Sequence, residues 1–338
     1  MRHHVFNMTY VLLGLFAAVA LLLLGFLFIP GPTPAGKSVE YGMTFSRPYA
    51  QNDLHLNPDD VLSAALDDLG IRRFRMGAYW KYIQPLRGTW NFDELDKDVQ
   101  AISDRKGTIV LAIGQKLPRW PECWQPDWAK QLPPAEQQAE TLNYIQTVVE
   151  RYRANPAIIA WQVENEPQFE YGECSRTDPS FHKEEIALVR RLDPTRPIYT
   201  TDSGELSFWT TFGKSVDRLG VSVYRVVRNP TLGTFRYFFL PPSFYRRKAE
   251  LLSPFGVPSI YVSEFQMEPW SNKALLETPV DDQLKTFDLK QMRANIDYAS
   301  HMGLSPVDFW GVEWWYWMKT TQNHPELWEA AKAIWSKG

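Results

Sequence analysis

Cysteine is nearly absent from this chain, with 2 among 338 residues. That excludes a disulfide-built scaffold and a four-cysteine zinc site. Histidine is scarce too: the 6 present are scattered, and none joins a metal-ligand spacing such as His-Glu-x-x-His. There is no Gly-x-Ser-x-Gly elbow and no Walker loop. No cofactor is implied by any of these patterns. Neither sign of charge is in large excess, since the formal net charge is −3. Nothing therefore points to nucleic acid or to a strongly acidic ligand as a partner.

Aromatic residues are abundant, at 14% with 14 Trp. Flat apolar rings suit a packed core, and they suit the C–H faces of pyranose sugars equally well. With 44% hydrophobic residues the chain can bury a large core, and its length allows one barrel or two smaller domains.

One long apolar run stands near the N-terminus, from Val11 to Ile29. About nineteen residues suffice to cross a bilayer core as a helix. Arg2 flanks the run on its N-terminal side, which predicts that the N-terminus stays inside and the rest lies outside. The run ends in Ile29-Pro30-Gly31-Pro32 without a clear small-x-small cleavage site. The reading is a stub and single-pass signal-anchor over residues 1–29, a stiff Pro/Gly linker over 30–38, and one domain over 39–338. The alternative is secretion after a cut at Ala35-Gly36.

From residue 39 onward, apolar strands alternate with amphipathic helices. Val39–Phe45, Arg72–Met76, Thr108–Gly114 and Ile158–Val163 read as the first four strands. Helices are expected after Asn57-Pro58, with Asn as cap and Pro in the first turn, over Asp93–Arg105, and over Ala135–Arg153. The second half repeats the rhythm. Helices near Phe181–Leu192, Leu206–Val216, Ser243–Leu252, Gln283–Met302 and Glu326–Ser336 alternate with strands Ile198–Thr201, Leu219–Tyr224, Ser259–Glu264 and Val307–Trp315. Eight parallel strands and their helices predict a single (β/α)8 TIM barrel, an α/β fold, preceded by one transmembrane helix. An open doubly wound sheet is disfavoured because no Gly-rich phosphate loop follows the first strand. Cys123 and Cys174 fall in the polar loops after the third and fourth strands, neighbours on a barrel rim, and are expected to pair.

The most informative segment is Ile158-Ile159-Ala160-Trp161-Gln162-Val163-Glu164-Asn165-Glu166-Pro167. It reads as a buried strand that stops at Asn-Glu-Pro, because Pro cannot donate to a ladder and restricts the residue before it. The strand presents a carboxylate at its C-terminal tip. Ser259-Ile260-Tyr261-Val262-Ser263-Glu264 repeats the pattern about a hundred residues later. Two strand-tip carboxylates supply what a retaining glycosidase needs: an acid for the leaving oxygen, and a nucleophile roughly 5 Å away.

Asn165-Glu166-Pro167 together with the later Glu264 resembles the clan A retaining glycoside hydrolases, cellulase- and β-glycosidase-like enzymes on (β/α)8 barrels. The resemblance covers most of the chain from about Tyr41. It implies Glu166 as acid/base and Glu264 as nucleophile, with Asn165 on the sugar 2-hydroxyl. It further implies a second-strand arginine, Arg75, that favours the charged nucleophile. Arg73 has the same parity. Tyr224, at the end of the sixth strand, would hydrogen-bond the nucleophile. An aromatic at the end of the eighth strand would lie under the reacting sugar; alternation puts Gly311, Glu313 and Trp315 on one face, which favours Trp315 over Trp314. A β-linked glycoside or polysaccharide is the implied substrate.

Strand-end position alone adds Lys116, Trp120, Asp202, Glu268 and Trp270 as cleft-facing candidates. The rival readings are a transglycosylase using the same site, a non-catalytic carbohydrate-binding barrel, and a membrane-tethered scaffold. The expected partners are a carbohydrate and, through the N-terminal helix, a membrane; a monomer is expected.

Overall fold

The computed structural model describes residues 2–34, 38–211, 215–229, 233–271 and 273–336. Its centre is a closed barrel of eight parallel strands, which run around the wall in the order β1 (Tyr41–Phe45), β10 (Val307–Trp310), β9 (Ser259–Gln266), β6 (Arg218–Val223), β5 (Ile198–Asp202), β4 (Ile158–Val163), β3 (Thr108–Ile113) and β2 (Arg73–Gly77). Parallel pairing places every strand's C-terminal end on one rim. Strand β4 is buried nearly throughout, which is why it reads as a continuous apolar run rather than an alternating one.

The helices follow from their caps and stripes. In α2 (Pro58–Asp67), the Asn57 side chain accepts from the Asp59 amide and Pro58 opens the first turn. Its stripe of Val61, Leu62, Ala65 and Leu66 faces the barrel. A short α3 (Trp80–Ile83) precedes α4 (Asp93–Asp104), and α5 (Asp127–Lys130) precedes α6 (Pro134–Tyr152). Then come α7 (Pro179–Leu192), capped by Asp178, and α8 (Phe244–Leu252). Short α9 (Val280–Leu284) and α10 (Leu289–His301) divide the stretch expected as one helix from Gln283 to Met302. The break is at Asp288, whose side chain caps α10 by accepting from the Gln291 amide. The chain closes with α11 (Val312–Thr321) and α12 (Glu326–Trp335).

Two expectations need correction. The apolar run after Asp308 does not continue as a strand to Trp315: β10 ends at Trp310, and α11 begins at Val312. Gly311 makes the turn at φ +135°, where a Cβ would meet the Met267 carbonyl oxygen at 2.7 Å. The helix expected near Leu206–Val216 is not found among the described residues 206–211 and 215–216; residues 212–214 lie outside them. The short helices α3 and α5 were not foreseen, nor was the antiparallel hairpin β7 (Val226–Asn229) and β8 (Gly233–Arg236) between β6 and α8.

The barrel interior is filled in layers. Toward the N-terminal end Arg73 reaches Asp308, Nε to Oδ1 at 2.8 Å, so its parity with Arg75 leads to a structural pair one layer deeper. Tyr199 and Tyr261 pack at 5.2 Å against Val110 and Ala160.

Helix α1 (Arg2–Phe28) contains a stretch, Met8–Phe28, of mean hydropathy 2.9 that is long and apolar enough to cross a membrane. Its C-terminal end meets α8: Phe28 lies 5.4 Å from the Phe244 ring, and the Gly31 amide donates to Ser243 Oγ at 3.0 Å. The alternative cleavage point at Ala35-Gly36 lies outside the described residues.

Candidate active site

Glu166 and Glu264 both lie on the C-terminal rim, Glu264 within β9 and Glu166 just past β4. Arg75, wholly buried on β2, joins their surroundings. Its Nη1 donates to Glu264 Oε1 at 2.7 Å, its Nη2 to Asn165 Oδ1 at 2.6 Å, and its Nε to Gln162 Oε1 at 2.7 Å. The Tyr224 hydroxyl donates to the other Glu264 oxygen at 3.1 Å. Glu264 therefore receives one charged and one neutral donor.

Glu166 is differently surrounded. It is 5% exposed, and its one side-chain donor is the Ser222 hydroxyl, 2.8 Å from Oε1. Burial, then the nearby charge of Glu264, push its carboxyl up to about 8; the Ser222 hydrogen bond works against this. A carboxyl with that environment stays protonated at neutral pH and can give a proton away.

The loop after β4 holds this group through backbone strain and clamps. Glu164 and Glu166 both sit at positive φ, +60° and +43°, in the left-handed region that costs a non-glycine residue about 1–3 kcal/mol. The Glu164 carboxylate accepts from the Gln115 and Lys116 amides at 2.8 and 2.6 Å. Gly114 makes that approach possible, since a Cβ there would stand 2.4 Å from Glu164 Oε1. Thr201 Oγ1 accepts from the Glu166 amide and donates to Asn165 Oδ1, each at 2.8 Å. Asn165 Nδ2 is buried and has no partner among the described residues.

Several of the residues expected to face the cleft make buried contacts with the protein itself. Lys116 is fully buried, and its Nζ donates to the Glu166 and Phe169 carbonyl oxygens at 3.1 and 2.6 Å. Glu313 accepts from the Ser46 amide at 2.6 Å and pairs with Arg119 at 2.8 Å, because it opens α11 instead of ending a strand. Glu268 pairs with the same arginine. Asp202 accepts from the Ser203 amide and the Ser207 hydroxyl. Trp315 is wholly buried, packs in the core and donates to the Met267 carbonyl oxygen at 2.6 Å. The residue that ends β10 is Trp310, its ring 5.8 Å from that of Tyr224.

Trp270 stands edge-on to Tyr224 at 5.1 Å, and Tyr171 lies 6.0 Å from both Trp270 and Trp120. Trp120, 60% exposed, is the outermost member. A continuous line of rings thus runs from the rim to Tyr224 and Trp310.

Cys123 and Cys174 are joined, with Cα atoms 4.9 Å apart, and tie the β3 loop to the β4 loop. Glu122, next to this bridge, was not singled out from sequence. It is 6% exposed, its Oε2 has no partner, and burial followed by the charge of Glu166 raises its carboxyl well above the ordinary range. Ser222, Thr201, Gln162 and Trp310 were also missed. The signal for Gln162 and Ser222 was a polar residue inside an otherwise apolar strand.

Fold and site together define a closed (β/α)8 barrel that carries two carboxyl groups, Glu166 and Glu264, on its C-terminal rim. The particular likeness is to beta-galactosidases: a family model, glycoside hydrolase 42, described as beta-galactosidase, matches residues 62–185, which include Arg75, Asn165 and Glu166. The chain is 27% identical over 121 residues to beta-galactosidase Bga of Halorubrum lacusprofundi, covering 30% of this chain and 17% of that protein. It is 29% identical over 104 residues to beta-galactosidase LacZ of Lactobacillus acidophilus, covering 26% of this chain and 16% of that one. Those alignments span less than a fifth of either curated relative. Among solved structures, the cold-adapted beta-galactosidase from Rahnella sp. R3 superposes with a TM-score of 0.58 at 13% identity, covering 83% of this chain and 52% of that one. Native xylanase 10B from Thermotoga maritima gives 0.54 at 16% identity, covering 80% and 82%. At these identities the structural likeness establishes the barrel fold.

Proposed function

We propose that the chain is a retaining glycoside hydrolase acting on a β-linked glycoside. Glu166 protonates the leaving oxygen while Glu264 attacks the anomeric carbon, forming a glycosyl-enzyme. Glu166, now a base, then activates water to release the sugar. The observation that carries this reading is the contrast between the two carboxyls on one rim. Glu264 takes two donors, one of them the buried Arg75, whereas Glu166 is raised to about 8. Asn165 Nδ2 offers a donor for a sugar hydroxyl, and the rings of Trp310 and Trp270 offer apolar faces.

The preferred location is a membrane surface. Helix α1 serves as the anchor, residues 30–38 as the link, and residues 39–338 as a monomeric extracytoplasmic barrel. The apolar stretch Met8–Phe28 supports this, and fractionation of the mature protein with membranes tests it.

The mechanism is tested with activated β-glycosyl fluorides and full-length protein, following the product by proton NMR. Release of the β-anomer first supports double displacement. The α-anomer first would indicate inversion, and absence of fluoride release would leave a carbohydrate-binding barrel.

A further inference from the structure

The hairpin β7–β8 is rooted in the candidate active site. Tyr224, which donates to Glu264, is followed directly by Arg225 and Val226, whose amides both donate to Gln266 Oε1 at 2.9 Å. The hairpin follows directly from the rim end of β6. Every residue of β8 is exposed, and the segment after it exposes Phe238 at 84% and Phe239 at 43%. Phe235, on β8 itself, is 41% exposed. A catalytic loop that met only water would have no reason to display three phenylalanines together.

These rings are continuous with the end of the apolar helix. Phe239 lies 5.8 Å from Phe238, 6.2 Å from Phe235 and 6.3 Å from Phe28, the last residue of the stretch suited to cross a membrane. Arg247 of α8 fixes this junction by donating to the carbonyl oxygens of Phe26 and Ile29 at 2.5 and 2.7 Å. Next to α8, the β5–β6 loop is held by Lys248, whose Nζ donates to the Gly204 carbonyl oxygen at 2.8 Å, and it exposes Leu206 and Phe208. If α1 spans a bilayer, groups within a ring's width of Phe28 stand at the depth where hydrocarbon gives way to headgroups. Aromatic side chains are favoured at that depth.

We infer that the β7–β8 hairpin is a second membrane contact: Phe235, Phe238 and Phe239 insert into the headgroup region of the bilayer that α1 crosses, and so hold the catalytic rim against the lipid surface. The inference rests on α1 as the anchor. It is independent of which bond the site cleaves. A short apolar loop of this kind enters about 5–10 Å into the interface. Because the hairpin leads back to Tyr224, contact with lipid bears on the wall that positions Glu264.

Depth-dependent quenching tests it. The two native cysteines are bonded to each other, so a cysteine introduced at position 238 is the sole free thiol. Full-length Phe238→Cys protein, labelled with bimane, is reconstituted into phosphatidylcholine–phosphatidylglycerol vesicles carrying headgroup-level nitroxide lipid. Phe255→Cys, 72% exposed at the opposite end of α8, is the control. Quenching at position 238 should exceed that at 255 by about twofold or more, as expected for a group at headgroup depth. Phe235→Cys should behave like Phe238→Cys, and circular dichroism verifies that each variant is folded. Equal quenching at 238 and 255, or failure of the full-length protein to float with the vesicles, overturns the inference. Hydrolysis is not read in this experiment, so a negative result leaves the glycosidase reading standing.

Discussion

Arg75 Nη1 and Glu264 Oε1 lie 2.7 Å apart, and the same guanidinium holds Asn165 Oδ1 at 2.6 Å. One side chain on β2 thus sets the distance between the tips of β4 and β9. Arg75→Met would leave Glu264 with Tyr224 and would strand the Gln162 side-chain oxygen, while Asn165 Oδ1 keeps its bond from Thr201. Breaking a buried pair from one side costs about 3–5 kcal/mol. The variant should therefore melt several degrees lower and lose hydrolysis. Arg75→Lys returns the charge without the forked contact, so it should recover melting temperature more than kcat. Wild-type kcat in Arg75→Met would remove Arg75 from the site.

Removing each carboxyl separates their roles. Glu264→Ala should abolish turnover, and added azide should restore it from the vacated face with inverted configuration. Glu166→Ala should lose about 10²–10⁴-fold on substrates with poor leaving groups, because those need a proton. It should lose far less on dinitrophenyl glycosides, where azide gives a product of retained configuration. Identical azide products from both variants would contradict the assignment.

Trp310 and Trp315 make opposite predictions. Trp315→Ala removes a wholly buried ring and should destabilise the fold by about 3–5 kcal/mol. Trp310→Ala removes a ring beside Tyr224 and should lower kcat/KM by about threefold to tenfold, as loss of one stacking face would, with a smaller change in melting temperature. Urea unfolding and steady-state kinetics on both variants make the comparison.

The reason these two tryptophans are hard to tell apart in sequence is physical. Val307 to Trp317 is apolar almost throughout, and a buried parallel strand has no period-2 signature to mark its end. Besides the charged Asp308 and Glu313, Gly311 interrupts the run, and its positive φ is visible in the structure alone. Asn165, Glu166 and Glu264 were legible because a strand tip ending in Asn-Glu-Pro or Ser-Glu is a local pattern. Ser222, Thr201 and Glu122 were not: each acts through a partner tens of residues away, and only closure of the barrel brings them together. Lys116 was placed on the correct loop, but burial decided its partners; Glu313 was read as part of the eighth strand and instead lies in the first turn of α11. Among the described residues just after β5, Trp209 and Lys248 hold an irregular path through the Ser203 and Gly204 carbonyl oxygens, contacts that outweigh local helix propensity.

The Cys123–Cys174 bridge closes a loop of 51 residues. By chain entropy alone such a closure stabilises the fold by about 4 kcal/mol. Replacing both cysteines with serine should lower the unfolding free energy by up to that amount. KM should also rise, because Trp120 and Glu122 lie on the tethered loop. An unchanged KM together with a lower melting temperature would show that the bridge supports the fold and not the cleft.

The pH profile tests the acid directly. Glu166 must be protonated in the free enzyme, and burial together with Glu264 raises it to about 8. Activity limited by this acid is present below that value and falls as pH rises through it, so kcat/KM should show a basic limb near pH 8. Two variants should move the limb in opposite directions. Ser222→Ala removes a hydrogen bond that favours the charged form, and the limb should move up. Asp202→Asn removes a like charge that disfavours it, and the limb should move down. Stability carries the same sign. A carboxyl raised above its unfolded value contributes fully at low pH and loses that contribution as pH climbs through the folded value, so unfolding in urea should be easier at about pH 9 than at about pH 6. Glu166→Gln cannot ionise, and part of that loss should vanish in it. If the limb stays in place in both Ser222→Ala and Asp202→Asn, a group other than Glu166 supplies the proton.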